Sequence, residues 1–391
     1  MRLLYLADIR FPLERANGIQ TFETCRALAA RGHEVTLLVR PDTSMPARDP
    51  WFFYGAERVP GFTIDRIASV PESMRRACYV TTALGRVIAR SADVVFTRDL
   101  GLASLALGVP RRRRPALVYE AHGYAPAVSQ ELPRLLGTSA RPSPRKLARL
   151  ARREGRVWRR AEGYVTLTSA HRSELVARFG PRDAAVVPDG TRLPRVRRFE
   201  PPPAGPPTVG YAGHLYPWKG VDVLIDAIAR RQDLRGLVVG GQPGERDLAR
   251  LQALAHARGV ADRVEFTGWR PPQDVAASLA RCHALALPNV RSTISERYTS
   301  PLKLFDYLAA GRPIVASDLP AIREVLTDQV NGLLVEPGRA DVLADALGRV
   351  IDDRALAERL SRKAFDDADR YSWDARAGRL EPVLQAAEAA A

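Results

Sequence analysis

Cysteine is scarce: Cys25, Cys78 and Cys282 are odd in number and widely spaced, which argues against a disulfide framework and gives no zinc-ligand spacing. No apolar run reaches the roughly 18 residues a membrane-crossing helix needs. The opening Met1-Arg-Leu-Leu-Tyr-Leu-Ala-Asp8 turns acidic too soon for a secretory signal, so a cytoplasmic protein is expected. His, Cys and carboxylates never gather at metal-ligand spacing, and Asp367-Ala368-Asp369 falls in a helical pattern rather than in a loop after a strand. No metal is therefore expected. The G-x-G-x-x-G dinucleotide fingerprint is absent as well. Lysine is nearly missing: Lys146, Lys219, Lys303 and Lys363 are the only four among 59 basic residues. A flexible ammonium and a planar guanidinium do different jobs, so each surviving lysine marks a place to look.

What is present suits a globular protein. A chain of 391 residues with 46% hydrophobic content is too long for one ordinary core and points to two domains. The net charge of +15 is unevenly spread. Between Arg141 and Arg160 nine basic residues face a single acid, Glu154, while Leu147, Leu150, Ala151, Val157 and Trp158 keep helical spacing. That is a basic amphipathic helix. It suits anionic lipid headgroups, an anionic acceptor or nucleic acid, and equally a solvated face in an arginine-rich protein; nucleic acid is the least favoured of the partners. Arg111 to Arg114 reads as a charged loop.

The N-terminal stretch reads as a βαβ unit: apolar Leu3 to Leu6, a loop holding Pro12 and Asn17-Gly18, a helix from Ile19 to Ala30, then strand Val35 to Val39. Asn17 and Gly18, ahead of the helix, are candidates to cradle a ligand. Strands Val94 to Thr97 and Ala116 to Tyr119 follow, the second ending in Glu120-Ala-His122-Gly123. His122, just past a strand end and before a glycine, suits a hydrogen-bonding or proton-handling imidazole, though a lone loop histidine is often merely exposed. Next come strand Tyr164 to Leu167, helix Ser169 to Phe179 with Ser169 as its cap, and strand Ala184 to Val187. Six prolines between Leu193 and Pro207 mark an interdomain linker.

A second βα series starts at Thr208. Its strands empty into Gly213 to Gly220, Gly240-Gly241-Gln242-Pro243-Gly244, Thr267-Gly268-Trp269-Arg270 and Pro288-Asn289. In a doubly wound sheet these loops share one edge, the expected nucleotide site. Lys219, at a glycine-flanked helix start, suits a diphosphate; Trp269 can stack on a base; Asp306 can accept bonds from two sugar hydroxyls. In Glu296 to Asp318, Ser300 is expected as an N-cap and Pro301 as the first helical residue, with Lys303 in the first turn. Such a helix start favours an anion in front of it.

Gly213-His-Leu-Tyr-Pro-Trp-Lys219-Gly220, Ser300-Pro-Leu-Lys-Leu-Phe-Asp-Tyr-Leu-Ala-Ala-Gly311, Pro313-Ile-Val-Ala-Ser-Asp318, Asn331-Gly332-Leu and Tyr371-Ser-Trp-Asp together resemble a GT-B glycosyltransferase of the family 4 kind. The resemblance implies an α/β fold of two Rossmann-like, doubly wound domains facing an interdomain cleft. Residues 1–192 would form the acceptor-side domain, 193–207 the linker, 208–372 the donor-side domain, and 373–391 a helix crossing back to the first domain. It further implies transfer from a nucleoside-diphosphate sugar, linked to UDP, GDP or dTDP, with retention of configuration and without an obligatory metal. The acceptor would be a saccharide, a lipid-linked group or a small molecule. From the basic helix, a cytoplasmic enzyme with the option of peripheral contact with the inner membrane face is expected. Lys219 matches the lysine that binds the donor diphosphate and His122 the histidine at the transferred sugar, with Asn17 and Gly18 on the acceptor side. Asp306 fills the ribose-binding slot of a paired-glutamate motif, while Tyr298 stands in the first slot and Glu296 two residues earlier. His214 stands where an arginine often helps Lys219. The implied donor site comprises Gly213, His214, Lys219, Gly241, Trp269, Arg270, Tyr298, Thr299, Ser300, Pro301, Leu302 and Asp306, and the implied catalytic set His122, Lys219, Glu296 and Lys303. A nucleotide-sugar epimerase on the same fold, and an inactive basic membrane- or nucleic-acid-binding protein, are the competing readings.

Overall fold

A computed structural model describes residues 1–138, 140–194, 196–241 and 245–390. Ser139, Arg195 within the proline-rich stretch, Gln242, Pro243 and Gly244 of one expected ligand loop, and Ala391 lie outside the described residues. The chain divides into two units. The first comprises Met1–Gln130, Arg141–Asp189 and Trp373–Ala391, the second Glu131–Ala140 and Gly190–Ser372.

The first unit holds strands β1 (Arg2–Arg10), β2 (Glu34–Arg40), β3 (Phe62–Arg66), β4 (Val94–Thr97), β5 (Ala116–Ala121), β6 (Gly163–Thr166) and β7 (Ala185–Val186). They pair in parallel in the order β3-β2-β1-β4-β5-β6-β7. Leu3 to Leu6 and Val94 to Phe96 are apolar and buried at every position, as strands must be when helices cover both faces of a parallel sheet. Winding reverses between β1 and β4, and in such sheets ligands bind beyond the strand C-ends at the reversal. The helix Trp373–Ala389 belongs to this unit and buries Trp373, Ala377, Leu380, Leu384 and Ala387, a stripe at helical spacing. Arg31 clasps it from outside through Asp374 at 3.0 Å and Glu381 at 2.9 Å.

The second unit has six parallel strands: β8 (Thr208–Ala212), β9 (Arg235–Val239), β10 (Val264–Gly268), β11 (Ala284–Leu287), β12 (Ile314–Ser317) and β13 (Leu333–Val335), in the order β10-β9-β8-β11-β12-β13. Successive side chains point to opposite faces. Val209, Tyr211, Val238, Ala284, Ala286 and Val315 therefore fill one core layer, and Ala212, Leu237, Val239, Leu285, Leu287, Ile314 and Ala316 the other. Val221, Leu224, Ile225 and Ile228 on helix Val221–Arg230 join the first layer. Each large side chain so buried stabilises the fold by about 1.5–3 kcal/mol.

Several local expectations shift. The first helix begins at Ala16, not Ile19, so Asn17 and Gly18 lie inside its first turn. The cap of helix Ser169–Phe179 is Thr168, whose hydroxyl accepts from the His171 N–H, because Ser169 is already helical. Arg111 to Arg114 do form the charged connection before β5, but Arg114 is 5% exposed and forks onto Glu162 at 2.8 and 2.9 Å. Asp367 ends its helix rather than lying mid-helix, and accepts from Asn331 Nδ2 at 3.0 Å. Strand β3 and helices Leu100–Ala106 and Ala125–Leu135 were not anticipated; Thr63 and Asp65 break the apolar run that marks the central strands.

Candidate functional site

In the second unit four strand-end loops meet at one edge. The Gly213 N–H donates to the Val239 carbonyl at 2.8 Å and the Gly240 N–H to the Gly268 carbonyl at 3.0 Å, joining the loops after β8, β9 and β10. A Cβ on Gly240 would sit 2.0 Å from the Gly213 carbonyl oxygen, and one on Gly220 1.8 Å from that of Pro288. Both glycines have φ in the left-handed region, +144° and +71°, so only glycine serves there. Gly241 packs under Leu215.

Two lysines converge on this edge. Lys219 ends a tight turn Pro217–Lys219 that leads into helix Val221–Arg230. Lys303, on helix Leu302–Ala310, places its Nζ 3.6 Å from the centre of the Tyr211 ring. Gly213 leaves the space, since a Cβ there would lie 2.9 Å from Lys303 Cε. Lys303 is 9% exposed and, among the described residues, its ammonium has no hydrogen-bond partner. Burial, and then the charge of Lys219, push the Lys303 pKa well below the ordinary lysine range. Burial also lowers Lys219, to about 8. Asn289, just past β11, is 1% exposed with neither side-chain polar atom bonded among the described residues. β8 and β11 are neighbours across the winding reversal, where this fold places ligands.

The remaining donor-side candidates spread unevenly around this centre. His214 stacks on Tyr216, and Tyr216 on Trp218, with ring centres 5.1 and 4.6 Å apart. Trp269 and Arg270 follow the edge strand β10, two strands from β8. Asp306 accepts a hydrogen bond from Thr191 Oγ1 at 2.6 Å. Ile294–Tyr298 forms a single wide, π-type turn, a feature that often marks functional places. Within it Tyr298 is buried, and Glu296 is paired with Arg291 at 2.7 Å. The expected cap is corrected: Pro301 itself is the extended N-cap, so Ser300 precedes the cap and the helix starts at Leu302. Proline disfavours helical backbone in the residue before it, which keeps Ser300 out of the helix. Thr299 holds the turn by donating to the Ile294 carbonyl at 2.7 Å.

In the first unit, His122 sits beyond β5 with its Nε2 2.6 Å from Glu120 Oε1. Glu120 is fully buried and also accepts from Gln20 Nε2 at 2.6 Å and from Arg376 Nη2. Burial opposes its ionisation, yet Arg376 and the His122 bond hold its pKa below the usual carboxylate range. Burial and the charge of Arg98 push His122 down to about 4, so the ring is neutral. Glu120 lies only two residues before His122, at the end of β5, so a contact between them was readable from spacing; Arg376, 256 positions from Glu120, carried no signal. At Gly18 a Cβ would meet the Leu13 carbonyl at 2.3 Å and the Tyr54 hydroxyl at 2.6 Å, so the chain's own loop already requires glycine there. Asn17 Oδ1 accepts from Thr21.

On helix Pro144–Arg160 the residues Arg145, Lys146, Arg149, Arg152, Arg159 and Arg160 are exposed, while Glu154, Gly155, Val157 and Trp158 are buried. Arg156 is diverted inward to the Leu107 carbonyl at 2.9 Å.

Against known proteins, a family model described as a glycosyl transferase 4-like domain matches residues 17–190, and one described as glycosyl transferases group 1 matches residues 206–353. The chain belongs to these group 1, family 4-type glycosyltransferases: it is a transferase with the GT-B fold. It is 27% identical over 387 residues to the D-inositol 3-phosphate glycosyltransferase of Nocardia farcinica, covering 91% of this chain and 81% of that one. It is 28% identical over 416 residues to the GDP-mannose-dependent alpha-(1-6)-phosphatidylinositol monomannoside mannosyltransferase of Mycobacterium tuberculosis, covering all of both. Sucrose-phosphate synthase from Thermosynechococcus elongatus superposes with a TM-score of 0.78 over the full length of both chains at 18% identity, which shows the shared fold. Nothing in these likenesses favours the epimerase or the inactive binding-protein readings.

Proposed function

We propose that this glycosyltransferase moves a hexose or related sugar from a nucleoside diphosphate to a saccharide, lipid-linked or small-molecule acceptor, with retention of configuration and without an obligatory metal. One observation carries the reading: Lys219, Lys303 and Asn289 bring two lysines and an unbonded amide to the β8/β11 reversal, and neither lysine has a carboxylate partner among the described residues. Burying a cation unpaired costs several kcal/mol, about as much as an arriving anion can return. Breaking a sugar–phosphate bond builds negative charge on the leaving diphosphate. Fixed ammonium groups and the free N–H groups at the start of helix Leu302–Ala310 lower that barrier most. Attack from the leaving-group face, with the diphosphate taking the acceptor proton, gives retention. In this reading His122 faces the transferred sugar and Asp306 the ribose.

Thermal shift with a panel of UDP-, GDP- and dTDP-sugars tests the donor site, since a ligand bound only by the folded state raises its stability. Anomer-resolved NMR of the product then tests retention. Lys219→Ala should lower donor affinity and turnover together, turnover by roughly a hundredfold; unchanged turnover would remove Lys219 from the diphosphate.

The named relatives act on an inositol phosphate and on a phosphatidylinositol mannoside, which supports an acceptor that is phosphorylated or lipid-linked. We therefore place the exposed basic face of Pro144–Arg160 on an anionic membrane surface, making the enzyme peripheral; no helix among the described residues is long and apolar enough to cross a membrane. Binding to phosphatidylserine vesicles should weaken steeply with salt and vanish when Arg145, Lys146, Arg149 and Arg152 become Gln. Binding that survives these changes would refute the assignment.

A further inference from the structure

We propose that Arg376, reaching in from the last helix, and Glu120 on β5 act as a positioning pair that fixes the hydrogen-bonding polarity of His122, so that its ring meets a sugar hydroxyl as an acceptor through Nδ1. The inference rests on the reading that His122 faces the transferred sugar. Arg376 is 0% exposed and every arm of its guanidinium is engaged: Nε donates to Thr24 Oγ1 at 3.2 Å, Nη1 to the Val187 and Pro188 carbonyls at 3.0 Å each, and Nη2 to Glu120 Oε2. A guanidinium held on four sides cannot follow a moving partner, so Glu120 is held in turn. Because the arginine is a permanent cation, Glu120 stays ionised and can only accept.

The polarity of His122 follows. An ionised Glu120 requires that the 2.6 Å contact be a bond donated by His122 Nε2. In a neutral ring the other nitrogen, Nδ1, then carries the lone pair. Gln20 is oriented by the same network: its amide nitrogen donates to Glu120 at 2.6 Å while its oxygen accepts from Arg98 Nη1 at 2.9 Å. The groups facing His122 are Glu120 on β5, Arg98 after β4, Arg376 on the last helix and His171 on helix Ser169–Phe179. Asp189 and Tyr5 face the Glu120–Arg376 pair from behind. Burial and the two arginine charges disfavour imidazolium, and Glu120 alone favours it. The last helix thus acts on the site without touching the sugar.

The test is nitrogen-resolved NMR of the six histidines in the full chain, with His122 assigned by the signal lost in His122→Asn. The native protein should show the Nε2–H tautomer, neutral down to about pH 5. Glu120→Gln, whose amide can donate to Nε2, should shift the ring toward Nδ1–H and lower kcat about tenfold with little change in donor KM. Arg376→Gln should raise the His122 titration midpoint by about one unit or more, while Arg376→Lys, which keeps the charge, stays near the native value. An unchanged tautomer and titration in folded Glu120→Gln and Arg376→Gln would overturn the proposal. Should Arg376→Gln not fold, the near-isosteric Glu120→Gln decides alone, and an unchanged tautomer there overturns it. If the tautomer shifts but turnover and its pH profile do not, the positioning pair stands and His122 is not at the sugar.

Discussion

A lysine buried with no counter-ion is pushed away from its charged form, and Lys303 is in that position above the Tyr211 ring. In the proposed reading a nucleoside diphosphate supplies the missing counter-charge on binding, and that carries a pH signature. Lys219 titrates near 8 in the unliganded protein and Lys303 below the ordinary range. A bound diphosphate favours the protonated forms, so binding takes up a proton at each lysine that is neutral in the free protein. Affinity should therefore fall as pH rises from about 7 to about 9, by up to about tenfold per unit for each lysine that takes one up. Calorimetry in two buffers of different ionisation enthalpy reads the uptake, and a flat profile would remove both lysines from the diphosphate. Asn289 makes a complementary case. An unbonded buried amide costs about 1–3 kcal/mol, so Asn289→Leu should stabilise the unliganded protein by about 1 kcal/mol and weaken donor binding about tenfold. Weakened stability with unchanged donor affinity would make Asn289 a packing residue.

Among the elements, the basic helix Pro144–Arg160 carries its one acid on the inside. Glu154 accepts from the Tyr164 hydroxyl at 2.9 Å and from the Ala125 N–H at 3.3 Å, but burial outweighs both and lifts its pKa to about 7. The helix surface is thus more basic than its composition implies, because its acid neither faces solvent nor is fully ionised. Unfolding restores an ordinary carboxyl near 4.5. Between about 4.5 and 7 the folded state therefore holds more protons, and stability falls as pH rises through that window, by up to about 3 kcal/mol. Glu154→Gln should remove this slope: denaturant midpoints of the two proteins should diverge in the variant's favour from pH 4.5 to pH 8. Parallel curves would mean that Glu154 is ionised in the fold. The same helix shows why periodicity reads a face well and a charge poorly. Trp158 and Val157 were legible as its buried side, whereas the inward turn of Arg156 to the Leu107 carbonyl depends on a neighbour 49 positions away.

For the whole molecule, two units with separate cores predict separable unfolding. Saturating nucleoside diphosphate at a hundred times its Kd should raise the transition of the second unit by about 2.7 kcal/mol. Leu384→Ala, in the stripe that seats the last helix, should lower that of the first by about 2–5 kcal/mol. Calorimetry with and without ligand reads both, and a single transition moved equally by either change would refute independent units. The sequence by itself determined the two parallel α/β layers and the Gly213–Lys219 and Pro301–Gly311 segments, since apolar periodicity, glycines and helix stops are local properties of the chain. It also pointed to His122 and to both lysines. Tertiary structure alone decided that Lys303 lies over Tyr211 beneath Gly213, that Asn289 is left unbonded, that Pro301 rather than Ser300 caps its helix, and that Arg376 holds Glu120. The reason is physical: burial, desolvation and the partners of a charge are set by residues far apart in sequence, and these decide whether a lysine is a solvated surface group or a buried one without a counter-ion.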